Sequence, residues 1–421
     1  MNKLKEHFFK DLYEMSSGIS TKPEQAGHGY PFISFKTIFN NLILPKKLND
    51  LMNTSISERE KYSIKKGDIL LTRTSEKIDE LAMSSVALQD YPNTTFSGFA
   101  KRLRPIQTDI TYDRFMAFFL RSPYFRKIID KKSVMTLRAS FNEELFSQIK
   151  ISIPEYSIQK KIGDLLYKIE EKIELNNKIN SELEAMAKTI YDYWFLQFEF
   201  PNEEGKPYKS SGGKMVWNGQ LKREIPEGWE VETLLKNRLS SFIKTGVEYF
   251  EEKNYLATAN IVNEEISDGN WITYENRENR ANMTPMPNSI WFAKMKNSIK
   301  HLTLTNSVGW FLEKYILSTG FIGIKCKENT LGYLHCFINS QYFELKKDSL
   351  AHGATQEAVN NEDLNSIKLL IPSYNILNSF NKRIVPLLQK KIDNVKENQE
   401  LTSLRDFLLP LLMNGQVGFK E

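Results

Sequence analysis

Two stretches of the 421-residue chain share one rhythm of apolar and polar positions. Between 156 and 198 there is no proline, and no glycine after Gly163. Apolar residues recur there at alternating steps of four and three, at Ile158, Ile162, Leu165, Ile169, Ile179, Leu183, Met186, Ile190 and Tyr193, while Lys172 and Asn176 fill the two middle steps. That spacing predicts one long helix with a single apolar stripe, and such a stripe needs a partner. An offset of 218, the separation of Pro154 from Pro372, repeats it as Ile376, Phe380, Arg383, Leu387, Lys390, Asn394, Glu397, Leu401, Leu404, Leu408 and Leu411. A Lys and an Asn at equal depth in two mainly apolar seams lower stability and favour one register. Lys172, Asn176, Lys390 and Asn394 are therefore the residues expected to set helix pairing. Pro386 is expected to kink the second helix or break its first turns, leaving the pairing best from residue 387 onward.

Shorter phrases repeat at nearly the same offset. GYPFISFKTIF at 29–39 resembles NYLATANIV at 254–262, GDILLTR at 67–73 matches NSIWFAK at 288–294, and SGFAKRLRP at 97–105 matches TGFIGIKCK at 319–327. Each places β-branched and aromatic residues after turn residues, which reads as strand. Helix signals follow in FLRSPYF and NEEL of the first half and in FINSQYF and NEDL of the second. The pattern predicts an α+β protein with a pseudo-twofold internal repeat: two similar domains, each followed by a long helix, the two helices pairing as an antiparallel coiled coil. The expected boundaries are a first domain at 1–153, a long helix at 154–200, a connector at 201–228, a second domain at 229–372, and a second long helix with the tail at 373–421. The connector is rich in Gly, Ser, Lys and Pro. Its SSGGK is no phosphate loop, because Lys214 is followed by Met215 rather than by Ser or Thr.

Composition narrows the function classes. The chain is 41% hydrophobic and 26% charged, ordinary for a globular protein. The uncharged run at 407–419 is interrupted by Pro410 and Gly415, so no membrane segment is expected, and two isolated cysteines, Cys326 and Cys336, fit a reduced cytoplasm. A net charge of +5 permits basic faces without singling out a nucleic-acid binder. His7, His28, His301, His335 and His352 are scattered, with neither HExxH spacing nor a GxSxG elbow, and no metal site is expected. The Asn- or Asp-Pro-Pro-aromatic motif of a base methyltransferase is also missing. A nuclease built on Asp and Glu-x-Lys remains open, since that pattern is nearly unconstrained. Two similar domains held apart by rigid helices are a geometry for reading two half-sites on one duplex.

The phrases IEEKIELNNKINSELEAMAKTIYDYWF at 169–195, YKSSGGKMVWNGQLKREIPEGWEV at 208–231 and LRDFLLPLLMNGQV at 404–417 resemble conserved regions of the DNA-specificity subunits of type I restriction-modification enzymes. The resemblance extends over essentially the whole chain. GDILLTRTSE, SGFAKRLRP and LRASFNEE look like one recurring type of target recognition domain; the second domain is looser, as two domains reading different half-sites would be. The resemblance implies a subunit without catalytic activity of its own that binds double-stranded DNA. It would join two modification subunits, which methylate adenine, and restriction subunits, which are translocases with a nuclease. S-adenosylmethionine, ATP and Mg are expected on those partners, and no cofactor on this chain. Other readings are a specificity-like adaptor of another phage-defence complex, the nuclease above, or a coiled-coil scaffold that binds no DNA.

Candidate DNA contacts come from phrases shared by both halves. In the first domain they are Arg73, Thr74 and Ser75 at a strand end, Lys101, Arg102 and Arg104 in the next strand, and Arg138 and Ser140 before NEEL. In the second they are Lys294, Lys296, His352, Thr355 and Gln356. The offset of 218 carries Arg138 onto Gln356. In the major groove, Arg reads guanine and Gln reads adenine, each through two hydrogen bonds. Tyr191, Tyr193, Trp194 and Phe195 are expected to pack against a neighbouring domain or the modification subunit.

Overall fold

A computed structural model of the chain describes residues 4–418 except 76–79, 133–138, 263–264 and 355. The fold is mixed α+β and divides into two compact units, one of Met1–Glu174 with Gln399–Glu421 and one of Leu175–Asn398.

In the first unit a four-stranded antiparallel sheet runs in the order Tyr13–Ser17, Ala100–Pro105, Ile69–Thr72, Ser84–Val86. Strand Ile69–Thr72 is buried at every position. Ile69 and Leu71 enter one apolar cluster with Phe115, Phe119 and Phe125 of the following helices, whereas Leu70 enters another with Ile33, Ile38 and Phe96. A strand covered on both faces reads as a continuous apolar run, which is how ILL stands in the sequence. A second sheet joins Ala26–Ile33 antiparallel to Leu51–Met52 and parallel to Thr95–Phe96. Lys5–Phe8 closes the domain by pairing with Lys150–Ile153, just ahead of the first long helix.

In the second unit the four-stranded antiparallel sheet runs Ser240–Phe242, Phe321–Cys326, Ser289–Ala293, His301–Leu304. Ser289–Ala293 is again buried throughout, with Ile290 and Phe292 in one cluster and Trp291 and Ala293 in another. Lys253–Leu256 runs parallel to Tyr315–Ser318 in a second sheet, and Glu230–Thr233 pairs with Lys368–Ile371 ahead of the second long helix. Within 201–228, strands Met215–Asn218 and Arg223–Pro226 form an antiparallel pair, and Tyr208 stacks on Phe200, which stacks on Trp229.

The first long helix spans Tyr156–Tyr191 and ends in a π turn, Asp192–Leu196; the second spans Tyr374–Met413. The helix runs unbroken through Pro386, so of the two expected effects of this proline, a kink or a break, the break does not occur. The residue is exposed, so the carbonyl its ring deprives of a partner lies on the hydrated side. The buried stripes also differ from the strict heptad. On the first helix they pass through Ile162, Leu166, Ile169, Asn176, Asn180, Ala187 and Tyr191, leaving Met186 exposed. On the second they pass through Leu377, Phe380, Ile384, Leu388, Lys391, Asn394 and Leu412, leaving Arg383, Lys390 and Leu404 exposed. A 3.6-residue helix drifts ~20° per heptad, so five heptads turn the stripe by about one residue.

Polar contacts join the helices inside each unit. In the second, Asn394 Nδ2 donates to Asn180 Oδ1 at 2.8 Å, Asn176 Nδ2 donates to Glu397 Oε2 and Asn398 Oδ1 at 2.9 Å, Asn398 Nδ2 donates to Asn177 Oδ1 at 2.7 Å, and Lys391 pairs with Glu184. In the first, Arg405 pairs with Glu170 at 2.6 Å, and Leu412 and Met413 share a cluster with Ile162 and Leu166. Among the described residues no helix is long and apolar enough to cross a membrane.

Candidate nucleic-acid interface

In the first domain the candidate site forms where strand Ile69–Thr72 runs out. The Arg73 N–H donates to the Phe99 carbonyl at 2.8 Å, and the Arg73 carbonyl accepts from the Phe141 N–H at 2.7 Å, which clamps this residue between two segments. Thr74–Ser75 then pairs with Ala139–Ser140. Arg73, Thr74, Ser75 and Ser140, distant in sequence, thus share one edge, with the Arg73 side chain exposed. Lys101 lies deeper, at 7% exposure. Its Nζ donates to Ser17 Oγ at 3.0 Å and stands 3.9 Å from Glu143, and burial lowers its pKa, as does the charge of Arg73. Arg138 lies outside the described residues.

Arg102 and Arg104 do not belong to this edge. Strand alternation turns them to the other face from Lys101. Arg102 is 9% exposed and donates to the Ser63 carbonyl, and burial lowers its pKa. Arg104 Nε and Nη2 hold the buried Asp68 carboxylate at 2.8 and 2.6 Å, and that bond raises the guanidinium pKa. A carboxylate buried where strand Ile69–Thr72 begins needs a two-point cationic partner, and the arginine fork supplies it.

The second domain has a matching clamp. The Lys294 N–H donates to the Gly320 carbonyl at 3.0 Å, and the Lys294 carbonyl accepts from the Val359 N–H at 3.0 Å. Lys294 and Gln356, with Arg280, Thr258, Ser318 and Thr319, line a recess of about 370 Å³. Burial lowers the Lys294 pKa. The loop carrying Gln356 depends on Gly353, whose φ is +137° and where a Cβ would sit 2.4 Å from the Gln356 carbonyl. Lys296 is engaged by Glu357 at 2.8 Å, so part of its charge is already neutralised. His352 is exposed, exchanges backbone hydrogen bonds with Ala358, and stands 3.5 Å from Asp363. Thr355 lies outside the described residues.

Sequence reasoning missed Ser17, Phe99, Thr258 and Arg280. No local pattern marks Arg280 in its loop; what places it is its carbonyl, which accepts from the Thr319 N–H at 2.8 Å. Among the residues expected to set helix pairing, Asn176 and Asn394 are buried and Lys172 is half-buried, but Lys390 is exposed. Its neighbour Lys391 is the lysine that turns inward, and burial pulls its pKa down to about 7. Tyr191, Trp194 and Phe195 are buried in the second unit against Tyr333 and Phe380, while Tyr193 is exposed.

Each of the two mixed α+β units thus holds a cationic residue by backbone hydrogen bonds at the end of a buried strand. Residues 2–185 match the family model described as "Type I restriction modification DNA specificity domain". The chain is 26% identical to the type I restriction enzyme MjaIX specificity subunit of Methanocaldococcus jannaschii, over 98% of this chain and 93% of that protein. It is 23% identical to the type I restriction enzyme HindI specificity subunit of Haemophilus influenzae, over 93% and 95%. Its fold is similar to that of the type I restriction-modification system S subunit from M. genitalium, at a TM-score of 0.58 and 14% identity over 98% and 96% of the two chains. Residues 2–185 thus match a type I restriction-modification DNA specificity domain, and the chain over its length is similar to the specificity subunits of such enzymes.

Proposed function

We propose that this chain is the sequence-reading, non-catalytic subunit of a type I restriction-modification enzyme. It binds double-stranded DNA at a bipartite target, one half-site to each domain, and holds two adenine-methylating modification subunits in place. Restriction subunits join the same assembly. S-adenosylmethionine, ATP and Mg bind the partners.

The observation that carries the reading is the repeated clamp. Arg73 and Lys294 each donate a backbone N–H to a turn carbonyl, of Phe99 and of Gly320, at the ends of strands that take the same place in their sheets. The two units are, on this reading, copies of one recognition fold. Supporting it, each has a fully buried strand third in a four-stranded antiparallel sheet, a parallel strand pair in a second sheet, and an antiparallel pair ahead of a long helix. The helices pair as an antiparallel coiled coil. Partners that run 176 with 397 and 398, 180 with 394, and 184 with 391 support that direction.

The test is to exchange residues 1–153 for the recognition domain of another such subunit, co-express the chimera with its modification subunit, and sequence the methylated adenines. One half-site is expected to change and the other to persist. A change in both, or in neither, overturns the division of labour.

A further inference from the structure

Phe99 is 66% exposed, yet its backbone is closely held. Its N–H donates to Ser97 Oγ at 3.2 Å and its carbonyl accepts from Arg73 at 2.8 Å. On either side, the Gly98 N–H donates to the Ile19 carbonyl at 2.8 Å and the Ala100 N–H to the Ser97 carbonyl at 2.9 Å. The chain at Gly18 passes so close that a Cβ there would sit 2.2 Å from the Ser97 carbonyl oxygen. A phenyl ring carried on so constrained a turn gives up little backbone entropy when it binds.

One exposed phenyl is unremarkable by itself, and three observations set this one apart. It stands on the edge that gathers Arg73, Thr74 and Ser140, where the exposed guanidinium suits a polyanion. The residue that takes its place in the second domain, by the same backbone hydrogen bond, is Gly320 on the rim of the 370 Å³ recess, and the next residue, Phe321, is buried. One domain therefore projects a ring where the other opens a hollow, so the two differ at the candidate reading edge. Finally, a phenyl ring has no polar atom. The sequence-dependent parts of a duplex that suit it are base faces and thymine methyl groups, and it offers a phosphate no hydrogen bond.

We propose that Phe99 is an apolar reading residue, seated at a base step of the half-site bound by the first domain. Recognition there depends partly on how readily that step unstacks, while the second domain takes its half-site through polar groups around the recess. The inference rests on the DNA-specificity reading above.

The test uses the enzyme assembled with its modification subunits and a duplex carrying the target identified from its methylated adenines. Phe99→Ala is expected to weaken target binding about tenfold or more, the scale of one base-stacking contact. The dependence of affinity on salt stays unchanged, because no phosphate contact is lost. Phe99→Trp is expected to keep target binding and to add an indole fluorescence that the target duplex quenches beyond the change seen in the parent enzyme. Affinity of Phe99→Ala within twofold of the parent, or an indole that the duplex does not quench, overturns the proposal. If the parent enzyme itself fails to distinguish target from scrambled duplex, the specificity reading fails; if the parent discriminates and Phe99→Ala does so equally well, only this proposal fails.

Discussion

Replacing Lys391 with methionine separates the burial of a charge from the pairing of two helices. Lys391 sits in the second unit beside Glu184, with Leu302, Phe311, Leu388 and Ile392 around a void of about 30 Å³ next to it. Burial outweighs the carboxylate and pulls its pKa down to about 7. In the unfolded chain a lysine titrates near ~10.4. Between these values the unfolded chain holds a proton that the folded one has released, so stability rises with pH across that window. Below about 7 the cost of the buried charge is felt in full. At ~1.4 kcal/mol per pKa unit the window is worth at most ~5 kcal/mol. Other groups nearby act elsewhere on the pH scale. Burial raises the Glu184 pKa from its usual 4.5, so that carboxyl contributes stability which is lost as pH climbs out of the acid range. His335 is pulled down to about 3 by burial, so it weakens the fold only as pH falls below its ordinary 6.5. On the alkaline side Lys253 and Lys294, whose pKa values burial also lowers, act in the same direction. The buried thiols of Cys326 and Cys336, which burial pushes up, act against it, so Lys391 is read from the difference between parent and variant. Lys391→Met keeps the length of the side chain, and Glu184, whose side chain is 44% exposed, is left with access to water. Urea unfolding of the second unit should show the methionine variant more stable at pH 7 by ~1–4 kcal/mol, the range for replacing buried ionic groups with apolar ones. Its gain with pH up to ~9.5, below the lysine's unfolded value, should be flatter than in the parent. A methionine variant whose stability changes with pH over that range as the parent's does, or one less stable than the parent at pH 7, refutes the reasoning.

Two further substitutions probe the helix contacts and the first domain. Asn176 and Asn394 are buried, with paired Nδ2 atoms but Oδ1 atoms that lack a hydrogen-bond partner among the described residues. Changing both to leucine should keep or raise thermal stability, by up to ~3 kcal/mol, while loosening register. The double variant assembled with its modification subunits should then methylate targets with altered spacers, and an unchanged spacer preference would count against a register role. Arg104→Ala leaves the Asp68 carboxylate buried without its fork, so the first domain should lose ~3–5 kcal/mol in thermal or urea unfolding. The salt dependence of DNA binding should stay as in the parent, and a slope reduced by about one would instead make Arg104 a phosphate contact.

The chain alone makes several features legible because their causes are local. The absence of proline and of any glycine after Gly163, with the three-four rhythm, marks the helix at 156–191, and an unbroken ILL before a turn marks a strand covered on both faces. The phrases that resemble specificity subunits are also local strings. What the sequence could not decide depends on residues far along the chain or on angles that accumulate. Alternation says that Lys101 and Arg102 point to opposite faces, but only the folded sheet, which brings Asp68 and Ser63 beneath Arg104, shows which face is interior. Lys390 and Lys391 look interchangeable in a heptad count. The choice falls to Lys391 because the period of a real helix is 3.6 residues and the drift accumulates along its length. Pro386 reads as a breaker, yet the fold tolerates it by turning that side of the helix to water. Arg280 and Phe99 carry no signature at all, since an exposed side chain acquires a place in a site only when backbone hydrogen bonds from distant strands bring its neighbours to it.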